Sequence, residues 1–343
     1  MTDIINLDRN APDKDLIDKA ANVIRSGGLV AFPTETVYGL GADATDESAA
    51  KKIYAAKGRP SDNPLIIHIS DPSDAEKYAY TCELYYKLAK AFMPGPLTVI
   101  LKKKDSIPFS VTGGLDSVAI RCPSHPIAQA LIAASDTAIA APSANLSGSP
   151  SPTTAEHVIA DLDGRVDMII SGGSAEIGLE STIVKIQGSE VILLRPGMIT
   201  VDALRCVCDN VTVASAVTEQ LAEGVRPESP GMKYRHYAPK AELILLDGEV
   251  EKVLEFMKLA QKNENCAIIC YDEDSPELKS DNLIKIGARD DLEAQAKTLF
   301  SALRLCDTLM VDKVYAHLPK KEGIGLALYN RMIRAAAHTI KKV

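Results

Sequence analysis

Several loops of this sequence carry the groups that bind phosphate and carboxylate oxygens. Backbone N–H groups, hydroxyls and fixed cations come together in them, at the ends of apolar segments. They are PTETVYGLG (33–41), KGRPSDNP (57–64), MPGPLT (93–98), RCPSHP (121–126), PSANLSGSPSPTT (142–154), GLEST (178–182) and RPG (195–197). The chain has no GxxxxGK[ST] motif, which excludes a P-loop NTPase, and no Ser–His–Asp or Cys–His spacing that indicates a protein nucleophile.

Two cations follow the predicted helix over 47–56. Lys57 and Arg59 would be favourable there simply as positive charges at a helix C-terminus. Ser61 and Asn63 come directly after them and favour a clamp for phosphate. Both interpretations are open from the residues alone.

A third cation, Arg121, follows the apolar strand 118–120 and is expected to be partly buried. A buried guanidinium needs a carboxylate or phosphate partner, and that partner is either a ligand or an acid of the protein. His68 ends another apolar strand, LIIHI, where a core histidine bonded to the backbone is the default interpretation.

Two further segments combine polar groups closely. Ser143, Asn145 and Ser147 follow a strand and suit an anion site as well as an ordinary loop. The segment KYRHYAP contains Tyr234, whose ring could stack on a base or cover a pocket.

Apolar periodicity alternates between the helical and the extended pattern, which indicates an α/β protein. Short connections, and a hairpin predicted about 187–189, favour a mixed sheet over a doubly wound parallel one. The other predicted strands are 29–32, 65–69, 97–103, 117–122, 138–142 and 166–170, and the predicted helices are 13–26, 47–56, 74–92, 125–134 and 154–161.

The pattern changes in the last third of the chain. Residues 1–209 are predicted to form one domain, 210–239 a linker, and 240–343 a smaller domain of βαβ type. In that domain, strands AELILLD, CAIICYD, LIKIG and KVYAHL alternate with helices over 249–262, 290–307 and 324–341.

Charge, hydropathy and cysteine content argue against three classes of protein: those that coat nucleic acid, those that span a membrane and those that bind zinc. The net charge of −8 disfavours a protein that coats nucleic acid through bulk charge. No apolar run approaches the ~20 residues of a membrane-spanning helix, so a cytoplasmic protein with no membrane association is expected. Seven cysteines show no CxxC pair, and no bound metal is predicted.

The loops resemble, in the same order, those of the threonylcarbamoyl-AMP synthases, the YrdC-like family, in its long form. The motifs that carry the resemblance are PTETVYGLG, KGRP, MPGPLT, RCP, PSANLSG, EST and RPG, with SPGMKYRHYAP as the linker of the long form. The resemblance implies an open α/β fold with a large cationic cavity and a small Rossmann-like domain. It implies that L-threonine, bicarbonate and ATP, with Mg²⁺ on the triphosphate, give threonylcarbamoyl-AMP and pyrophosphate. Other proteins would then use the adenylate to modify the adenosine beside a tRNA anticodon.

The resemblance also implies roles for single residues. It assigns the catalytic centre to Lys57, Arg59, Ser143 and Asn145. It assigns ATP binding to Arg59, Asn63, Ser117, Ser143, Ser151, Arg195 and Tyr234. It assigns the threonine pocket to Thr34, His68, Arg121, Ala141 and Ser181, with Arg121 on the amino-acid carboxylate. On this view Gly39 and Gly41 permit a tight turn beside the pocket wall.

One alternative of another class is an RNA-binding module that uses the cationic cavity without ATP turnover. The negative net charge and the scarcity of Lys/Arg runs count against it as the sole role. A strongly salt-dependent affinity for RNA, without turnover, would favour it.

Overall fold

The computed structural model describes residues 1–219, 227–229 and 236–343. The chain divides into two compact units, Met1–Ser147 with Ser151–Lys233, and Gly148–Pro150 with Tyr234–Val343. Within the described ranges, no helix combines the length and the apolar character that crossing a bilayer requires.

One mixed sheet of twelve strands forms the centre of the described part of the first unit. The strands are β1 Asp3–Asn6, β2 Val30–Phe32, β3 Gly39–Asp43, β4 Ile66–His68, β5 Ala79–Tyr80, β6 Leu97–Lys103, β7 Ser117–Arg121, β8 Ile139–Ala140, β9 Met168–Ser171, β10 Thr182–Gln187, β11 Glu190–Arg195 and β12 Val211–Val213. Their order is β1-β9-β2-β3-β8-β4-β7-β6-β10-β11-β12, and β5 pairs with β6. The sheet contains both parallel and antiparallel pairs of neighbours, which confirms the predicted mixed sheet.

Helices pack on this sheet through apolar faces. They are α1 Lys14–Arg25, α2 Glu47–Lys57, α3 Ala75–Tyr78, α4 Glu83–Phe92, α5 Pro126–Ser135, α6 Ala155–Leu162 and α7 Val201–Arg205. In α1, the helical spacing of Ile17 and Ile24 places both in one buried cluster, together with Leu131 of α5 and Phe32 of β2. This cluster supports the strand that leads into the first polar loop.

The tight turn predicted at Gly39 and Gly41 is wrong. Both glycines lie in strand β3, which runs antiparallel to β2. A Cβ atom at Gly41 would lie 2.6 Å from Cγ2 of Ile139 and 2.7 Å from Cε1 of Phe32. Gly41 therefore makes room for neighbouring side chains, the ring of Phe32 among them, within a buried strand.

We expect Gly41→Ala to lower the free energy of unfolding by about 1–3 kcal/mol, because the added methyl group overpacks this core. Gly39→Ala is the matched control, since its Cβ would meet Ala141 and Phe32 at 3.4 Å, an ordinary contact distance. Urea titration of both variants compares them. Equal losses would contradict the packing explanation.

The long helix predicted over 74–92 is also wrong. α3 ends at Tyr78, and β5 interrupts the helical path by pairing antiparallel with Lys102 and Lys103 of β6 before α4 begins. The cause is a pairing with a distant strand, which local periodicity does not report. The predicted hairpin about 187–189 is confirmed by the antiparallel pair β10 and β11.

Residues 211–213, assigned from the sequence to the linker 210–239, form β12. This strand pairs in parallel with β11 at the edge of the large sheet. The sheet of the first unit thus extends into that segment.

The second unit contains a five-stranded sheet whose pairs are all parallel within the described residues. Its strands are β13 Glu242–Asp247, β14 Cys266–Cys270, β15 Leu283–Lys285, β16 Lys313–His317 and β17 Ile340–Lys342, and its helices are α8 Val250–Asn263, α9 Leu292–Cys306 and α10 Gly325–Ala335. The order β15-β14-β16-β13-β17 is that of an α/β unit, as predicted.

The helix predicted over 324–341 is too long. Ala337 and His338 have φ of 47° and 63°, which is left-handed backbone and ends the helical path. The chain then forms β17 beside β13.

Candidate active site

Main-chain hydrogen bonds fix the loop between β2 and β3 against the other polar loops. The N–H of Tyr38 donates to the carbonyl of Pro152 at 2.9 Å, and the carbonyl of Tyr38 accepts from Ala144 at 2.8 Å. The carbonyl of Glu35 accepts from Ile177 at 2.9 Å. This loop therefore contacts both the PSANLSG segment and the segment before GLEST.

Lys57 ends α2 and is buried. Its Nζ donates to the carbonyl of Ser143 at 2.5 Å and also to the carbonyl of Asn145. The hydroxyl of Ser143 donates to Oδ1 of Asn145 at 2.5 Å. Lys57, Ser143 and Asn145 are thus brought together, and the lysine is more than a charge at a helix end.

Arg59 lies beside them on the KGRPSDNP loop. Its Nε donates to the carbonyl of Asn63 at 3.3 Å, and its Nη2 to the carbonyl of Pro64 at 3.1 Å. Oδ1 of Asn63 is buried and has no partner among the described residues. The register of β4 and β7 places Ser117 level with Pro64, at the same end of the sheet.

Arg121 pairs with an acid of the chain. Its Nη2 lies 2.6 Å from Oε1 of Glu35, and the two side chains are 5% and 2% exposed. The contact joins one nitrogen to one oxygen. Nε of Arg121 and Oε2 of Glu35 are buried without a partner in the described part of the chain. The internal ion pair that the sequence left open is therefore present.

His68 lies opposite Arg121 in the register of β4 and β7. Its Nδ1 is 3.2 Å from the carbonyl of Ile66, the backbone contact expected of a core histidine. Burial, together with the nearby charge of Arg121, lowers the pKa of His68 to about 3. The imidazole is consequently neutral at physiological pH.

This depressed pKa predicts a pH effect on stability. Below pH 6.5 the His68 side chain binds a proton in the unfolded chain but not in the folded protein. The free energy of unfolding therefore falls as the pH falls towards 3. We expect His68→Gln to remove about 2 kcal/mol of the loss between pH 7 and pH 5. Urea titrations of both proteins at the two pH values measure it, and parallel losses would contradict the assignment.

A hydroxyl chain links Thr98 to Arg195. Thr98 lies opposite Arg121 in the register of β6 and β7, and its hydroxyl is 2.7 Å from that of Ser181. Arg195 donates to the carbonyl of Ser181 at 3.0 Å and to its hydroxyl at 3.1 Å. Arg195, assigned from the sequence to ATP, thus contacts Ser181, a residue assigned to the threonine pocket.

Three other predicted site residues form hydrogen bonds within the protein. The hydroxyl of Thr34 donates to the carbonyl of Val37 at 2.6 Å. The N–H of Ala141 donates to a carbonyl of β4, and the hydroxyl of Ser151 donates to Glu180 at 2.5 Å. Tyr234 lies outside the described residues.

Sequence reasoning assigned no role to Glu35, Thr98 or Glu180. Glu35 could have been found, because it is an acid in a loop that follows a buried strand and the same sequence contains an arginine in need of a partner. In the described ranges, no three His, Cys, Asp or Glu side chains converge as metal ligands.

Comparisons with known proteins agree with this architecture. A profile of the Sua5, YciO and YrdC proteins, described as "Telomere recombination", matches residues 22–197, and one described as "Threonylcarbamoyl-AMP synthase, C-terminal domain" matches 199–337. The chain is 44% identical over 349 residues to the threonylcarbamoyl-AMP synthase of Pyrococcus abyssi, covering 100% of both chains. It is 46% identical over 323 residues to that of Bacillus subtilis, covering 93% of this chain and 92% of the relative.

Solved structures give the same result. The crystal structure of P. abyssi Sua5 complexed with L-threonine matches with a TM-score of 0.92 at 43% identity, over 100% of both chains. The structure of E. coli YciO matches with a TM-score of 0.53 at 27% identity, over 57% of this chain and 96% of that one.

Fold, loops and relatives together define a two-unit α/β enzyme of the nucleotidyltransferase type. The resemblance that the motifs suggested agrees with relatives that match all or nearly all of the chain. The chain belongs to the threonylcarbamoyl-AMP synthase family.

Proposed function

We propose that this protein makes L-threonylcarbamoyl-AMP from L-threonine, bicarbonate and ATP and releases pyrophosphate. One observation carries the proposal beyond family membership. The loop between β2 and β3 contacts two polar groups at once, through Glu35 to Arg121 and through Tyr38 to the loop that bonds Lys57. A reaction that joins an amino acid to a nucleotide needs two such subsites side by side.

The chemistry needs no protein nucleophile. The amine of threonine and bicarbonate form a carbamate and water. A carbamate oxygen then attacks the α-phosphorus of ATP, and pyrophosphate leaves. Positioning and neutralisation of charge supply most of the rate in such transfers. Mg²⁺ arrives on the triphosphate as part of the substrate.

The residue roles are part of the proposal. The catalytic centre comprises Lys57, Arg59, Ser143 and Asn145. Asn63, Ser117, Ser151, Arg195 and Tyr234 complete the ATP site. Thr34, His68, Arg121, Ala141 and Ser181 form the threonine site. The neutral imidazole of His68 supports this role, because a charged ring would repel the threonine ammonium group.

The wider assignment follows the family. Residues 1–209 form the catalytic domain, 210–239 a linker whose residues 211–213 add β12 to the sheet of that domain, and 240–343 an additional domain. The adenylate passes in the cytoplasm to the proteins that modify the adenosine next to a tRNA anticodon.

The test is turnover by the pure protein. ATP, Mg²⁺, threonine and bicarbonate are supplied together and then with one component omitted, while pyrophosphate release and the mass of any adenylate are followed. Release that requires both threonine and bicarbonate, with an adduct of the expected mass, supports the proposal. Release without them indicates another acceptor. No release from folded protein favours an RNA-binding role, which a salt-dependent RNA titration then examines.

A further inference from the structure

Each partner of the Glu35–Arg121 pair has a buried polar atom without a hydrogen-bond partner among the described residues. The contact uses Oε1 and Nη2, and it leaves Oε2 and Nε unsatisfied within the described residues. A buried ion pair stabilises a protein only when its remaining donors and acceptors are also satisfied. A single-atom contact with both side chains this deeply buried is therefore poorly suited to a purely structural role.

The pair also sets the charge of its surroundings. Arg121 alone would give the pocket one positive charge and would attract any anion. Glu35 cancels that charge at a distance of 2.6 Å. The side chains around the pair add little net charge. His68 is neutral at physiological pH, and Thr98 and Ser181 carry only hydroxyls. Arg9, whose charge interacts with that of Glu35, is itself paired with Glu176 at 2.5 Å. Arg195, bonded to Ser181, is the next cation along the hydroxyl chain.

We propose that Glu35 makes the amino-acid site selective for a zwitterion, with Oε2 receiving the α-ammonium group while Arg121 receives the carboxylate. This inference rests on the proposed function and adds to it the residue that recognises the amine. A free amino acid matches a site of zero net charge that presents one acceptor and one donor. A simple carboxylate has no donor for Oε2 and so lacks the charged hydrogen bond that an ammonium group makes there, which lowers its affinity.

Both open atoms lie below the surface. The proposal therefore requires that the wall formed by the loop between β2 and β3 shifts as the ligand enters. Main-chain contacts of that loop position Glu35 for the pair, such as the hydrogen bond from the N–H of Ile177 to the carbonyl of Glu35.

Calorimetric titration of the full chain tests the inference. The ligands are L-threonine and 3-hydroxybutyrate, which is threonine without its amino group. The unaltered protein should prefer threonine strongly. Glu35→Gln should lower the ratio of the two affinities about 10-fold to 100-fold, because it removes a charged acceptor for the ammonium group and leaves Arg121 free to attract an anion. Glu83→Gln, an exposed carboxylate paired with Lys87, should leave the ratio unchanged.

The outcomes separate the possibilities. If Glu35 only supports the fold around Arg121, Glu35→Gln weakens both ligands equally, and the inference is wrong. If Glu35→Gln does not fold, the unaltered protein decides the matter, since equal affinity for the two ligands contradicts zwitterion selectivity. Failure of the unaltered protein to bind threonine at all would instead contradict the proposed function on which the inference rests.

Discussion

Lys57→Met is expected to lower kcat for adenylate formation by about 100-fold or more while the fold is retained. Preorganised charges and donors that meet the developing charge of a transition state are worth this much in rate when one is removed. Lys57 is held at the point where α2 meets Ser143 and Asn145. Methionine preserves most of the buried stem and removes the charge together with the hydrogen bonds to the carbonyls of Ser143 and Asn145. Pyrophosphate release under saturating substrates measures the effect.

Lys51→Met is the matched control. It removes the same charge from the same helix, but its side chain is 67% exposed and pairs with Glu47. We expect a near-normal rate from it, since an exposed ion pair contributes little. A normal rate for Lys57→Met would remove Lys57 from the catalytic centre. If the rate of Lys57→Met recovers when cooling stabilises the variant, the lysine acts mainly by holding the 143–145 segment in position.

Arg121→Met is expected to have the largest effect on stability, about 3–5 kcal/mol, because it leaves the carboxylate of Glu35 buried without a partner. It should also raise the KM for threonine far more than the KM for ATP. Urea titration and steady-state kinetics measure the two effects separately.

A double variant separates stability from binding. Glu35→Leu combined with Arg121→Met replaces the whole ion pair by apolar groups and should recover most of the lost stability, because no buried charge remains. Threonine binding should stay lost. Recovery of threonine binding in the double variant, or equal effects of Arg121→Met on both substrates, would exclude Arg121 from the amino-acid site.

Much of the fold was predictable because its strongest signals are local. Continuous apolar runs marked β4, β6 and β7, and helical spacing marked α1, which Asp13 caps in the structure. β3 could not be found in this way. Its glycines read as a turn, and their place in a strand depends on the ring of Phe32 and on pairing with β2. β5 and β17 were missed for the same reason, since both exist by pairing with distant strands.

The candidate site divides similarly. Composition identified Lys57 and Arg121, because a cation at the end of an apolar segment needs an explanation wherever the chain folds. It did not identify what each would contact. Glu35 is 86 residues from Arg121, and Lys57 is 86 residues from Ser143. The order of strands in the sheet determines which residues so far apart in the sequence become partners. That order cannot be inferred from a single sequence.

The main-chain bonds around the loop between β2 and β3 have an evolutionary consequence. A peptide N–H or carbonyl is the same whichever side chain its residue carries, so the bonds of Tyr38 to Pro152 and Ala144 survive most substitutions in the loop. The geometry of the pocket wall and the chemistry it presents can therefore vary independently. Descendants of this protein could acquire a different amino-acid preference through a few side-chain replacements without rebuilding the scaffold.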